Sequence, residues 1–190
     1  ARRIAGELGL AGPARFVEAD LYDAPQALAA HAPFDMVFIT WGAIGWLPDL
    51  DAWARVVAAL LRPGGRLYLA EGHPLAMVFD TETAGADDAG RPKWSVPYMA
   101  FGMWKDDAPT DYTGDLPEIG AGHEYWWDHT LGSILSAIAA AGLRLDWLHE
   151  HDRVPWPMFS SLVPAPGGMF TWPDKGWLPL AFSLQATRAD

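Results

Sequence analysis

The chain has 190 residues, 51% of them hydrophobic, which is enough for one sizeable core and suits a single domain with one elaboration rather than a disordered segment. Its formal net charge is -11 and lysine occurs only at positions 93, 105 and 175, so a phosphate backbone would be repelled and nucleic acid is excluded as a natural partner. It contains neither cysteine, which removes disulfides and thiolate zinc sites and suits a reducing compartment such as the cytoplasm, nor an apolar run long enough for a membrane span or a signal peptide.

The first ten residues read as the end of a helix, with Ile4 and Leu8 one turn apart and Gly9 as its stop. Ala14 to Asp20 (ARFVEAD) predicts a short strand with an acidic residue at its carboxyl end, and Pro25 opens a short helix through Ala30. Phe34 to Thr40 (FDMVFIT) is almost continuously apolar, the pattern of a central strand buried on both faces of a parallel sheet. After the loop TWGAIGWLPDLD, the spacing of Trp53, Val56, Val57 and Leu60 predicts an amphipathic helix capped by Asp49 or Asp51. Arg62-Pro63-Gly64-Gly65 ends it, and Arg66 to Ala70 (RLYLA) is the next strand.

Periodicity then fails to about Asp128 while Gly, Pro, Asp and aromatic residues accumulate, which marks residues 75–128 as an insertion or substrate lid. Tyr98 to Trp104 and Glu124 to Trp127 could pair within it. A helix returns with Leu131, Ile134, Leu135 and Ile138, capped near Thr130 and stopped by Gly142. Leu143 to His149 is a strand, a Pro/Trp-rich excursion runs to about Pro179, and Leu180 to Thr187 is the closing strand. Strands alternating with helices predict an α/β fold, a Rossmann-like doubly wound and mostly parallel sheet. The last strand, joined without a helix, should run antiparallel at or near an edge. Of the eleven tryptophans, Trp94, Trp104, Trp126, Trp127, Trp156, Trp172 and Trp177 in the region beyond residue 90 either wall a pocket for a small apolar molecule or fill a loop-rich core.

Three segments, ARFVEADLYD, FDMVFITWGAIGWLPDLDAW and LLRPGGRLYLAEGHP, in this order and with two closing strands, resemble the second half of a class I S-adenosylmethionine (SAM)-dependent methyltransferase. The resemblance implies a chain that begins one unit late: the family's glycine-rich cofactor loop and its ribose-holding acid belong upstream of Ala1. Gly120-Ala121-Gly122 lacks the strand before it and the helix after it that such a loop requires.

The resemblance further implies that SAM lies across the carboxyl ends of the strands, where open α/β sheets bind ligands. Asp20 would accept from the adenine amino group and the N–H of Leu21 would meet a ring nitrogen. Thr40, Trp41 and Gly42 would line the methionine part and the reacting methyl group, and Trp41 or Trp46 would pack on the adenine or the sulfonium unless it serves the core. His73, at the end of the RLYLA strand, is the candidate general base, with His123, Tyr125, Trp126 and His129 as candidate substrate residues and Glu71 a lesser base candidate. His149 and His151 share a strand face, but no further ligand completes a metal site, so no metal is expected.

The function implied is methyl transfer to a small, apolar or aromatic molecule. A methyltransferase-like domain that only binds a ligand or partner is the alternative, and a nucleotide-dependent oxidoreductase would require a last strand parallel to its neighbours. The sequence leaves the oligomeric state open, a homodimer among the options.

Overall fold

A computed structural model describes residues 1–79, 91–99, 102–106, 123–174 and 176–189. Gly120 to Gly122 and part of the expected lid lie outside them.

Four strands form the main sheet: β1 (Phe34–Thr40), β2 (Leu61–Gly72), β5 (Leu143–His151) and β9 (Ala181–Arg188), in the order β1-β2-β9-β5. β1 and β2 are parallel, whereas β9 runs antiparallel to both β2 and β5. Three of the four strands therefore point the same way, and Thr40, Gly72 and His151 end at one rim. β9 is antiparallel as expected and lies near an edge, one strand in from β5. By contrast, β1 is the edge of the described sheet, and Phe38 on it is 64% exposed. An apolar run reports what a strand could bury, not which neighbours it obtains, and among the described residues no strand pairs with the far side of β1. The same want of a ladder explains Ala14 to Asp20, which carries no strand assignment and leaves Phe16 and Val17 exposed.

After the short helices α1 (Arg2–Glu7) and α2 (Ala24–Ala27), helix α3 (Leu50–Leu60) forms as its periodicity predicts, and the Asp49 carboxylate caps it by accepting from Ala52 N–H at 2.8 Å. Helix α4 (Leu131–Ala140) starts at Thr130, whose hydroxyl accepts from Ser133 N–H at 3.0 Å, and stops before Gly142 at a φ of 77°. Both helices cover one sheet face: Trp53, Ala54 and Val57 of α3 and Ile134, Ala137 and Ile138 of α4 meet Leu67, Leu69, Leu143, Phe182 and Leu184. Each large aliphatic chain so buried contributes about 1.5–3 kcal/mol. Replacing Thr130 by Ala should cost about 1 kcal/mol, read as a lower urea midpoint at unchanged slope.

The Arg62-Pro63-Gly64-Gly65 turn interrupts the β1/β2 ladder, because Phe34 pairs with Leu61 and Met36 with Arg66. Gly65 is required there: a Cβ would sit 2.8 Å from Arg62 O and 3.0 Å from Phe34 O. In the expected lid, β3 (Met103–Asp106) pairs antiparallel with β4 (Glu124–Trp127). The Pro/Trp-rich excursion folds into a feature that its sequence does not advertise. There β6 (Arg153–Val154), β7 (Val163–Ala165) and β8 (Met169–Thr171) form a small sheet in the order β6-β8-β7. A second core of Val154, Met158, Phe159, Trp172 and Leu180 packs with it, and Phe159 and Trp172 stack at 5.3 Å.

Candidate functional site

The loop that leaves β1 turns abruptly. Trp41 has a φ of 48° and Gly42 of 81°, and the left-handed conformation costs a side-chain-bearing residue about 1–2 kcal/mol. Two contacts hold Trp41 there, its N–H on Ala70 O at 2.9 Å and its ring edge-on to Trp156 at 5.4 Å. The turn brings three successive N–H groups onto one carboxylate. Glu71, 4% exposed at the end of β2, accepts from Gly42 N–H, from Ala43 N–H at 2.8 Å and from Ile44 N–H at 3.2 Å. Such convergent amides form an anion-binding nest, here filled by the protein's own side chain. Burial pushes the Glu71 carboxyl above its ordinary value, while the hydrogen bonds from Gly42, Ile44 and Ala43 pull the other way.

Beside this corner, at the rim where β1 and β2 end, lies a cavity of about 460 Å³. Gly42, Ile44, Trp46, Glu71 and Gly72 form one part of its lining; Tyr98, Glu124, Trp126, Trp127, Asp128 and His129 form another; Met77, Val78 and Trp156 also line it. Sequence reasoning missed Asp128 and Tyr98 as lining residues, whereas Trp156 is one of the tryptophans it offered as a pocket wall. Only the position of Asp128 beside the YWW run carries any signal for the two that were missed. The tryptophans divide between the two roles open to them, since Trp46, Trp126, Trp127 and Trp156 line the cavity and Trp53 and Trp172 fill cores.

His129 lies in the lining and His73 does not. His129 Nε2 sits 2.9 Å from Leu47 O; a carbonyl can only accept, so Nε2 carries the proton and Nδ1 keeps its lone pair. Burial lowers its pKa and so favours the neutral ring, against the opposing pull of the Leu47 and Ile44 carbonyls and the Asp128 charge. His73 is buried, and its Nδ1 accepts from Leu75 N–H at 3.1 Å. That bond turns Nε2 toward Glu150 Oε1, 3.0 Å away but outside good hydrogen-bond geometry. Desolvation lowers the His73 pKa and the Glu150 charge raises it.

Of the other expected site residues, Gly42, Trp46 and Trp126 line the cavity, whereas Thr40, Trp41, Asp20, Leu21, His123 and Tyr125 stand outside its lining. Asp20 accepts from Tyr22 N–H at 2.8 Å, and the Tyr22 hydroxyl donates to Asp49 O at 3.3 Å and accepts from Asp49 N–H at 3.2 Å. The Asp20 turn is thereby tied to the loop that follows β1. His123 and Tyr125 pack edge to face at 6.2 Å. His151 Nε2 lies 2.7 Å from the hydroxyl of buried Ser183, and among the described residues no group of His, Asp or Glu is placed to hold a metal ion.

This sheet order, with a reversed strand inside it and a cavity at the strand tips, is the fold of a class I SAM-dependent methyltransferase. Solved structures carry the assignment. A SAM-dependent methyltransferase from Mesorhizobium loti matches with a TM-score of 0.57 at 20% identity, over 95% of this chain and 75% of that one. The glycopeptide N-methyltransferase MtfA complexed with SAM matches with a TM-score of 0.55 at 16% identity, over 100% of this chain and 67% of that one. A SAM-dependent methyltransferase from Clostridium acetobutylicum matches with a TM-score of 0.51 at 10% identity, over 97% and 72%. No family model and no curated protein matches the chain.

Proposed function

We propose that the protein transfers a methyl group from SAM to a small molecule held in the cavity at the rim of β1 and β2. The observation that carries this reading is the Glu71 nest, which fixes the 41–44 corner beside that cavity in a chain with the methyltransferase fold. The antiparallel β9 also favours it over an oxidoreductase, which would need a parallel last strand.

The corner suits the sulfonium end of the cofactor. Gly42 and Gly45 have open space where a Cβ would lie, so main chain can approach a ligand closely, and the Trp46 ring offers a face to a cation. The Asp20 turn would sit toward the adenine. SAM, when bound, supplies a methyl group already activated by its positive sulfur. What remains for the protein is to align a nucleophile, exclude water and take up a proton where the acceptor carries one.

Trp126, Trp127 and Tyr98 would cover the acceptor, and the Nδ1 lone pair of neutral His129 is the base on the cavity wall. His73 would act as a positioning residue, holding the 73–76 turn through Leu75 N–H. No helix of the described residues is long and apolar enough to cross a membrane. We take the protein to be cytoplasmic, in keeping with its lack of cysteine, and to avoid nucleic acid because of its charge.

Calorimetric titration with SAM and with S-adenosylhomocysteine tests the reading. A saturable heat with both is expected. Absence of heat together with absence of any ligand-induced rise in melting temperature would end it.

A further inference from the structure

Resting on the reading of this cavity as the acceptor site, we infer that the acceptor is a cationic amine: a protonated amino group on an apolar or aromatic body, methylated on nitrogen. The lining combines aromatic faces with carboxylates. Tyr98, Trp126 and Trp127 stand beside Glu124 and Asp128, and among the described lining residues there is neither Lys nor Arg. Aromatic faces and carboxylates each attract a cation, and they do so more strongly when partly desolvated. A carboxylic acid or phosphate ester would meet the opposite field.

The third carboxylate, Glu71, is already matched by three amide N–H groups, and burial favours the neutral form of His129. Glu124 and Asp128 therefore set the charge preference of the remaining wall. Two positive groups, the cofactor's sulfonium and an ammonium, would share one cavity. Without local carboxylates they would repel each other, and two carboxylates remove that penalty. Both are half-buried, and an apolar neutral acceptor would gain nothing from them while taking them further from water.

In the reaction the bound ammonium loses one proton, to His129 Nδ1 or to water. The freed nitrogen pair forms the N–CH3 bond as the C–S bond breaks, and its electrons pass to sulfur, giving S-adenosylhomocysteine. The product is an N-methylammonium of the same charge as the substrate that entered.

The probes are 2-phenylethylammonium, its neutral counterpart 2-phenylethanol and the anion phenylacetate, titrated by quenching of tryptophan fluorescence, alone and with S-adenosylhomocysteine present. The ammonium is expected to bind about tenfold or more tightly than the alcohol, with phenylacetate weakest. Glu124→Gln and Asp128→Asn, each checked by thermal denaturation for an intact fold, should narrow that preference. The double variant should nearly erase it. Equal or tighter binding of the alcohol or the anion, no binding of the ammonium, or a preference that survives the double variant would overturn the inference. Because S-adenosylhomocysteine binding is read in the same protein, a failed amine preference with intact cofactor binding refutes the amine alone. Lost cofactor binding refutes the methyltransferase reading instead.

Discussion

Glu71→Ala is expected to lose about 2–4 kcal/mol of stability and to abolish measurable binding of S-adenosylhomocysteine. Among the described residues the carboxylate is the only acceptor for the N–H groups of Gly42, Ala43 and Ile44, and Ile44 itself is buried. Removing it leaves amides converging on nothing, and the left-handed Trp41-Gly42 corner then has less to hold it. Glu71→Gln separates charge from shape. Its amide oxygen can still accept, but its NH2 must face at least one of the three N–H donors, so an intermediate loss is expected.

The pH dependence carries a second signature. The folded-state pKa of Glu71 is raised above 4.5 by burial, so the native state holds its proton longer than the unfolded chain. Its contribution to stability is therefore fully present below pH 4.5 and is lost as pH rises through the raised value. Urea midpoints followed upward from pH 4 should show that decline in the wild type and not in Glu71→Gln. Identical profiles would mean that Glu71 is not buried as a charge.

These two variants act on a residue that the sequence offers only as a lesser base. Its signal was present in another form. RLYLA-Glu71 places a carboxylate at the end of an apolar strand, where burial is costly, and TWGAIG is a loop rich in backbone donors with few side chains to satisfy them. Each is unremarkable alone, and only the parallel pairing of β1 with β2 brings them together. Features set by local chemistry were legible: the Asp49 and Thr130 caps, the α3 periodicity, the stops at Gly9 and Gly142, and the turn at Gly64-Gly65.

Features set by which strand lies beside which were not. The run at Phe34 to Thr40 reads as central and stands at the described edge; Ala14 to Asp20 reads as a strand and has no ladder. At His73 the side-chain direction escaped sequence reading, because an N–H two residues on captures Nδ1 and turns the ring from the cavity to Glu150. Aromatic residues posed the converse difficulty. Trp172 and Trp156 sit in one proline-rich stretch with the same composition around them, yet Trp172 is buried within the second core while Trp156 packs on the outside of that core and lines the cavity.

Deleting residues 181–190 is expected to abolish cooperative folding, a larger effect than any single substitution. β9 is the last strand made and the one that joins the sheet: it supplies the ladders to β2 and to β5, which do not pair with each other. Ala181, Phe182, Leu184 and Ala186 are all fully buried, and Ala181 belongs to the second core while the other three belong to the first. Without β9, β5 loses its only ladder among the described residues to the rest of the sheet, and both cores open to water.

Phe182→Ala isolates part of this effect, with an expected cost of about 3–5 kcal/mol out of a typical total near 5–15 kcal/mol. Phe182→Leu, which keeps most of the volume, should cost less than about 1.5 kcal/mol. Far-ultraviolet circular dichroism through a urea titration reads all three chains. The deleted chain should show no sigmoidal transition and Phe182→Ala an earlier one. A cooperative transition in the deleted chain would mean that β2 and β5 are held together by something other than the strand between them.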